Sequence, residues 1–239
     1  MTILVSFLAT LFVYWGTKKI YSYKPIPFLS PLLVCPVLLI IGLTVWRVSI
    51  DTYNTGSRLF SDMLQPATVA LAVPMYKNRS ILRQYIWEIT GGVVSGMVVA
   101  IGSSLLLARY AAMSSELIDS MAPRSVTTPI AMNLSQMLGG IPAITAVFVI
   151  LTGLAGLILG PVVIRLLSMQ SPIAKGMILG IAAHGTGTSK AYELGSLEGA
   201  IASLSMIFSG LAATLLAPAL VPRLLAFLNS PFSAFLSGR

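Results

Sequence analysis

Three features of the sequence predict an all-α polytopic membrane protein with about seven crossings, a re-entrant segment, and discontinuous helices in inverted-topology repeats. Hydrophobic residues fill 56% of the 239 positions and charged residues only 9%, with a mean hydropathy of +0.90; soluble domains carry about 25% charge. Apolar runs recur at the length of about 20 residues that a helix needs to cross ~30 Å of hydrocarbon. Several of those runs are interrupted by Pro or Gly together with hydroxyl residues.

The elements follow in order. Residues 2–17 form a short first span with no basic residue before it and Lys18 and Lys19 after it. That charge order is the reverse of a secretory signal, so the stretch is expected to be retained as a helix. Longer spans are expected at 27–46, 84–108, 141–164 and 197–222. Trp15, Trp46 and Trp87 fall at expected span ends, where interfacial aromatics belong. The lone Cys35 lies in an apolar run; it excludes an intramolecular disulfide and reads as a small buried hydrophobe. Three segments are apolar but broken: 62–76 (DMLQPATVALAVPMY), 123–137 (PRSVTTPIAMNLSQM) and 173–192 (IAKGMILGIAAHGTGTSKAY). A break leaves backbone groups unpaired, which hydrocarbon tolerates only where protein or a water-lined cavity satisfies them.

Charge sets the expected orientation. If 62–76 and 173–189 cross while 123–137 dips in and returns, one side receives Lys18, Lys19, Lys24, Lys77, Arg79, Arg83, Arg165, Lys175, Arg223 and Arg239, with Glu88 as its acid. The other side receives Arg47, Arg58, Arg109, Arg124 and Lys190 against Asp51, Asp62, Glu116, Asp119, Glu193 and Glu198. The positive-inside rule then puts the N-terminus outside and the C-terminus in the cytoplasm. The net charge of +8 is thereby topology-setting loop charge, not a nucleic-acid surface. On this count residues 1–239 form a single transmembrane domain. Residues 27–108 and 141–222 each read as full helix, broken helix, full helix in opposite directions, an inverted repeat of the kind secondary transporters use.

Corresponding breaks in two repeats point to a shared polar site near the midplane. The first, LQPATVALAVP, carries Gln65, Pro66, Thr68 and Pro74, and each proline deletes a donor and frees a carbonyl one turn earlier. The second, HGTGTSKAYELG, spans 184–195. Gly185 and Gly187 allow close backbone approach, Thr186, Thr188 and Ser189 add hydroxyls, and Lys190 adds positive charge. A helix restarting there presents free N–H groups suited to a carboxylate or phosphate. The spacing of Gly180 and Gly185 imitates a phosphate loop, but Thr186 stands where the lysine should be. His184, Lys190 and Glu193 are the candidates for coupling or gating, with an interhelical hydrogen bond as the alternative role of His184. Glu193 and Glu198 are expected near the outer face. In SVTTPIAMN, Ser125, Thr127, Thr128 and Asn133 supply neutral donors at membrane depth. The expected binding set is therefore Thr68, Thr127, Thr128, Asn133, His184, Gly185, Thr186, Gly187, Thr188 and Ser189. One His and one Cys make no zinc site, no cofactor is implied, and no nucleophile–base pair suggests an enzyme. Gly92 with Gly96, and Gly153 with Gly156 and Gly160, predict close helix packing.

The stretches LQPATVALAVPMYKN, PRSVTTPIAM, GGIPAITAVFVILTG and HGTGTSKAYELGSLEGAIASLSM together resemble the LrgB/CidB-like family of bacterial inner-membrane proteins. Relatives of that family include the C-terminal half of the plastid glycolate/glycerate translocator. The resemblance runs from about residue 25 to residue 222 and implies a multi-pass protein of the inner (cytoplasmic) membrane. It implies one of two functions. The first expectation is a carrier of small monocarboxylates such as pyruvate, glycolate or glycerate, with substrate at the broken helices and alternating access between the repeats. The alternative is an antiholin-like or holin-like modulator of murein hydrolase activity and autolysis, acting with a small LrgA/CidA-like membrane partner. Membrane lipid, a small carboxylate and further copies of the chain complete the expected partners.

Overall fold

The computed structural model describes residues 2–24, 26, 29–63, 66, 69–70 and 72–228; Gln65 and Thr68 lie outside the described residues. Every regular element among the described residues is helical. The chain divides into two compact units, residues 1–72 and 73–239. The expected first repeat, 27–108, includes parts of both.

In the first unit, α1 (Thr2–Tyr23) packs on α2 (Pro31–Val45) and α3 (Ile50–Asp62). Phe7 stacks on Phe60 at 4.7 Å between ring centres, and the Thr10 hydroxyl lies 2.9 Å from the Tyr53 hydroxyl. The helix α3 has no counterpart in the hydropathy pattern. It begins where Ser49 Oγ accepts from the Thr52 N–H at 3.2 Å, an N-cap that satisfies one of the donors left free at a helix start. Cys35 is buried on α2, as expected.

The second unit holds α5 (Arg79–Gln84), α6 (Ile86–Tyr110), α7 (Ser115–Met121), α8 (Thr128–Leu138), α9 (Pro142–Leu166), α10 (Pro172–Leu194) and α11 (Ser196–Leu228), with α4 (Ala72–Lys77) starting at the boundary. Among the described residues α6, α9 and α11 are long and apolar enough to cross a membrane. Two of the ends are shaped by a residue in the left-handed region. Ala112 (φ 52°) closes α6 with a Met113 N–H to Ala108 carbonyl bond, and Ser168 (φ 48°) closes α9 with a Met169 N–H to Ile164 carbonyl bond. Both are Schellman-type stops that pair otherwise free carbonyls.

The distribution of polarity in this unit is inverted relative to a soluble domain. Ser104, Ser120, Ser135, Thr145, His184, Thr188, Ser203, Ser205 and Ser209 are buried. Val99, Leu107, Leu151, Leu159, Leu211 and Leu215 are more than half exposed on the outer faces of the long helices. A continuous apolar exterior around a serine- and threonine-rich interior is what a lipid solvent selects, since the hydrophobic effect no longer drives large side chains inward. The molecule is a membrane protein.

Candidate functional site

The break in α10 is a reversal. Ser171 caps the helix by accepting from the Ala174 N–H at 3.4 Å, and Pro172 occupies the first turn. Helical geometry then fails at His184, with φ 39° and ψ −121°. On the first arm, 172–183, Gly92 and Gly96 of α6 abut Met177 and Ile181 in rising order, so this arm runs parallel to α6. Gly153, Gly156 and Gly160 of α9 abut His184, Ala183 and Leu179, so the same arm runs antiparallel to α9. Gly176 and Gly180 meet Ile201 and Ala202, which makes the arm parallel to α11 as well. The second arm, 185–194, runs the opposite way along α11: Tyr192 lies against Gly199 and 3.2 Å from the Ser203 hydroxyl, and Thr188 Oγ1 lies 3.8 Å from Met206 Sδ. Segment 173–189 was expected to continue across the bilayer as a kinked span; here it turns back on itself as a helical hairpin. The glycine stripes on α6 and α9 have the close-packing role the sequence suggested, because they let the first arm wedge between the two helices.

The hairpin tip shows what each residue of the opening motif does. Gly187 has no room for a side chain, because a Cβ there would run into the Leu179 carbonyl of the other arm. Thr188 donates to the His184 carbonyl at 2.8 Å, a bond from a buried hydroxyl to the start of the second arm. His184 is buried, and its Nε2 has no hydrogen-bond partner among the described residues. Gly185 and Ser189 are exposed, with Ser189 bonded back to the Gly185 carbonyl at 3.1 Å. Thr186 is half-buried beside Gly153. Lys190 forms an ion pair with Glu193, three residues on, at the foot of the second arm.

A second hairpin is made by α7 and α8. Its arms meet at their base, where Ser120 Oγ accepts from the Ile141 N–H at 2.7 Å and donates to the Glu116 carbonyl at 2.6 Å. Gly140 packs against the Ser120 backbone there, and Gly139 (φ 97°) ends α8 in a conformation that suits glycine. Thr145 Oγ1 donates to Ser135 Oγ at 2.6 Å, joining α9 to α8. Neither arm is long enough to cross: eleven residues of α8 rise about 16 Å. Residues 123–137, expected as a re-entrant segment, form the tip and second arm of this helical hairpin. Thr127 is the N-cap of α8 without a side-chain cap bond, Thr128 begins the helix, Ser125 is buried and Asn133 is exposed on the outer side of α8.

The two tips approach the middle of α9 from opposite ends. Arg124, at the α7–α8 tip, donates from Nε to Ser104 Oγ at 2.8 Å and from Nη1 to Thr152 Oγ1 at 3.1 Å. Thr152 adjoins Gly153, against which His184 and Thr186 pack. A cleft of about 410 Å³ opens here, lined by Arg124, Thr152, Gly156, Gly160, Leu179 and Ala183 among others. The structure thus brings Thr127 and Thr128 near one tip and His184, Thr186 and Thr188 to the other, while Asn133, Gly185 and Ser189 face outward. Arg124 and Thr152 are absent from the sequence-derived set. Arg124 was counted as loop charge, although a basic residue inside a re-entrant segment is itself a signal of function. Among the described residues no three His, Cys, Asp or Glu side chains gather in a way that would hold a metal.

Comparison with known proteins decides the lineage: the profile of the LrgB-like family matches residues 10–223. The chain belongs to the LrgB-like family. It is 50% identical over 218 residues to the Bacillus subtilis protein called "Uncharacterized protein YwbG", covering 91% of this chain and 97% of that one. To YxaC of the same organism it is 36% identical, covering 91% and 95%. To a protein of Bacillus mycoides called "Antiholin-like protein LrgB" it is 34% identical over 207 residues, covering 87% and 90%. No solved structure matches this member of the LrgB-like family.

Proposed function

We propose that this LrgB-like protein is an antiholin-like component of the bacterial inner membrane that modulates murein hydrolase activity, acting with a small LrgA/CidA-like membrane partner. The observation that carries this reading is the alignment over 87% of the chain with a relative that bears the antiholin-like name. Deleting the gene should change the rate of detergent-induced autolysis, and the wild-type copy should restore it. An autolysis rate indifferent to the gene, with or without the partner present, sinks the reading.

A second reading is favoured by the cleft. Two hairpins entering from opposite ends, with tips meeting at the middle of a long apolar helix, are the arrangement in which carriers place a small substrate. On this reading α6 with the α7–α8 hairpin and α9 with the α10 hairpin are the two inverted halves, and a small monocarboxylate binds between the tips. Neither reading assigns a chemical reaction to the chain. Purified protein in proteoliposomes distinguishes them: saturable uptake of labelled pyruvate, lactate, glycolate or glycerate without release of a trapped dye supports the carrier. Size-limited dye leakage with no substrate preference removes it.

The hairpin also revises the orientation we infer. One end of the second unit gathers Lys77, Arg79, Arg83, Arg165, Lys175 and Lys190 against Glu88, Glu193 and Glu198; the other gathers Arg109 and Arg223 against Glu116 and Asp119. The positive-inside rule supports a cytoplasmic location for the first end. The C-terminal end of α11 then lies outside, in place of the cytoplasmic C-terminus expected from a crossing α10.

A further inference from the structure

We propose that Arg124 is the anion-binding residue of this protein, and that the site it serves, bounded by Thr152 and the two hairpin tips, takes the carboxylate of a small organic acid. The proposal rests on the carrier reading and names the residue that reading lacks. Arg124 stands on the tip of a hairpin too short to cross, against the middle of α9, yet among the described residues its hydrogen bonds run only to the neutral hydroxyls of Ser104 and Thr152. Among the described residues the one ion pair is Lys190 with Glu193, so no described carboxylate compensates the guanidinium. Two neutral hydroxyl contacts could be made by an amide; a full positive charge at this depth is costly and is retained where an anion uses it. Nε and Nη1 are engaged, which fixes the plane of the group and leaves Nη2 without a partner among the described residues, on a side chain that lines the cleft. A guanidinium held in this way presents a directed donor to a carboxylate oxygen.

Three further observations concern the elements that carry or contact the two tips. Thr127 begins α8 beside Arg124 without capping it, so the first N–H groups of an eleven-residue helix add positive potential there. The buried Nε2 of His184 has no partner among the described residues. On α11, Ser205 and Ser209 have buried hydroxyls without partners among the described residues, and they flank Met206, which touches Thr188 of one hairpin, while the adjoining Gly210 abuts Ile130 of the other. A buried polar atom without a protein partner usually has a water, an ion or a ligand against it. Arg124 gives the carboxylate a charged partner, and these groups, on the elements around the two tips, are the neutral ones open to the rest of a small hydroxy or oxo acid.

The test uses the full chain in proteoliposomes with labelled pyruvate, together with melting of the detergent-solubilised protein in pyruvate or in its neutral amide. Wild type should be stabilised by pyruvate and not by the amide. Arg124→Gln should lower uptake about 10- to 100-fold, the loss of a hydrogen-bonded charge, and should abolish stabilisation by pyruvate. Arg124→Lys, which keeps the charge without the fork, should raise KM about 10-fold with kcat nearly unchanged. If Arg124→Gln, eluting and melting as wild type does, takes up pyruvate with wild-type KM, the assignment is overturned while the carrier reading stands. Should Arg124→Gln fail to fold, Arg124→Lys decides: an unchanged KM overturns the assignment. Equal stabilisation by the amide also overturns it. Wild-type protein that neither takes up nor is stabilised by pyruvate, lactate, glycolate or glycerate removes the carrier reading and the assignment together.

Discussion

Thr188 Oγ1 donates to the His184 carbonyl oxygen at 2.8 Å, directly across the start of the second arm of α10, and both residues are buried. The bond is the back-bond of a helical threonine, and it pairs the buried hydroxyl with the first carbonyl of the second arm. Thr188→Val keeps the side-chain shape and removes the donor. We expect a loss of about 1 kcal/mol, read as a lower melting temperature in detergent, with Thr188→Ser restoring most of it. Equal melting of the valine variant and wild type would show that the bond contributes nothing to stability.

Gly187→Ala should be among the most damaging single-methyl changes in the chain, because its Cβ would collide with the backbone carbonyl of Leu179, which no side-chain rotation relieves. Gly185→Ala, two residues away with nothing within 4 Å of the added carbon, is the matched control. Expression and monodispersity on size exclusion should fall sharply for the first and stay near wild type for the second. Similar behaviour of the two variants would mean that the arms do not cross at Gly187.

Ser120 serves the base of the other hairpin in both directions, accepting from the Ile141 N–H and donating to the Glu116 carbonyl. Ser120→Ala removes the acceptor of the Ile141 N–H, for which we expect a cost of about 1 kcal/mol. Melting measured on Ser120→Ala and Ser120→Thr should show the threonine variant closer to wild type if hydrogen bonding, not volume, is what matters.

The reversal at His184 puts Gln170 and Glu193 at the same end of the second unit and Ala111 at the other. In a Cys35→Ser background, Gln170→Cys and Glu193→Cys should be labelled from the same side of intact cells or inverted vesicles by an impermeant maleimide, and Ala111→Cys from the opposite side. Replacing Glu193 breaks an ion pair with a half-exposed carboxylate, worth little to stability. Labelling of Gln170→Cys and Glu193→Cys from opposite sides would restore the crossing segment.

Much of the candidate site was legible in the sequence because a broken helix in lipid needs particular residues. The run from His184 to Ser189 marked the position of the break, and the hydroxyls at 125–128 marked a segment that dips and returns. The direction of the chain after His184 was not legible, for a reason of length. The twenty-three residues of α10 rise about 34 Å if straight and about half that if folded in two. Hydropathy is the same in either case, since it sums residue by residue along the chain and carries no direction. The parallel pairing of Gly92 with Met177 and of Gly180 with Ala202 selects the folded form, and those contacts join residues far apart in sequence. Arg124 escaped for a related reason: a positive-inside count treats every arginine between spans as loop charge, whatever its depth. The helix α3 was hidden because its composition is polar, and its start depends on the Ser49 cap.

Composition and hydropathy were sufficient to establish an all-helical membrane protein, the long apolar helices α6, α9 and α11, and a polar interruption at HGTGTS, because each follows from local chemistry summed along the chain. Packing alone settled that the interruption is a hairpin tip, that it packs on Gly153 of α9 next to the Thr152 that Arg124 of a second hairpin bonds, and that Gly187 serves the crossing of two arms, with no free surface for a ligand. Those facts depend on which backbone fits against which other, and a glycine that admits a ligand reads the same in sequence as one that admits a neighbouring carbonyl.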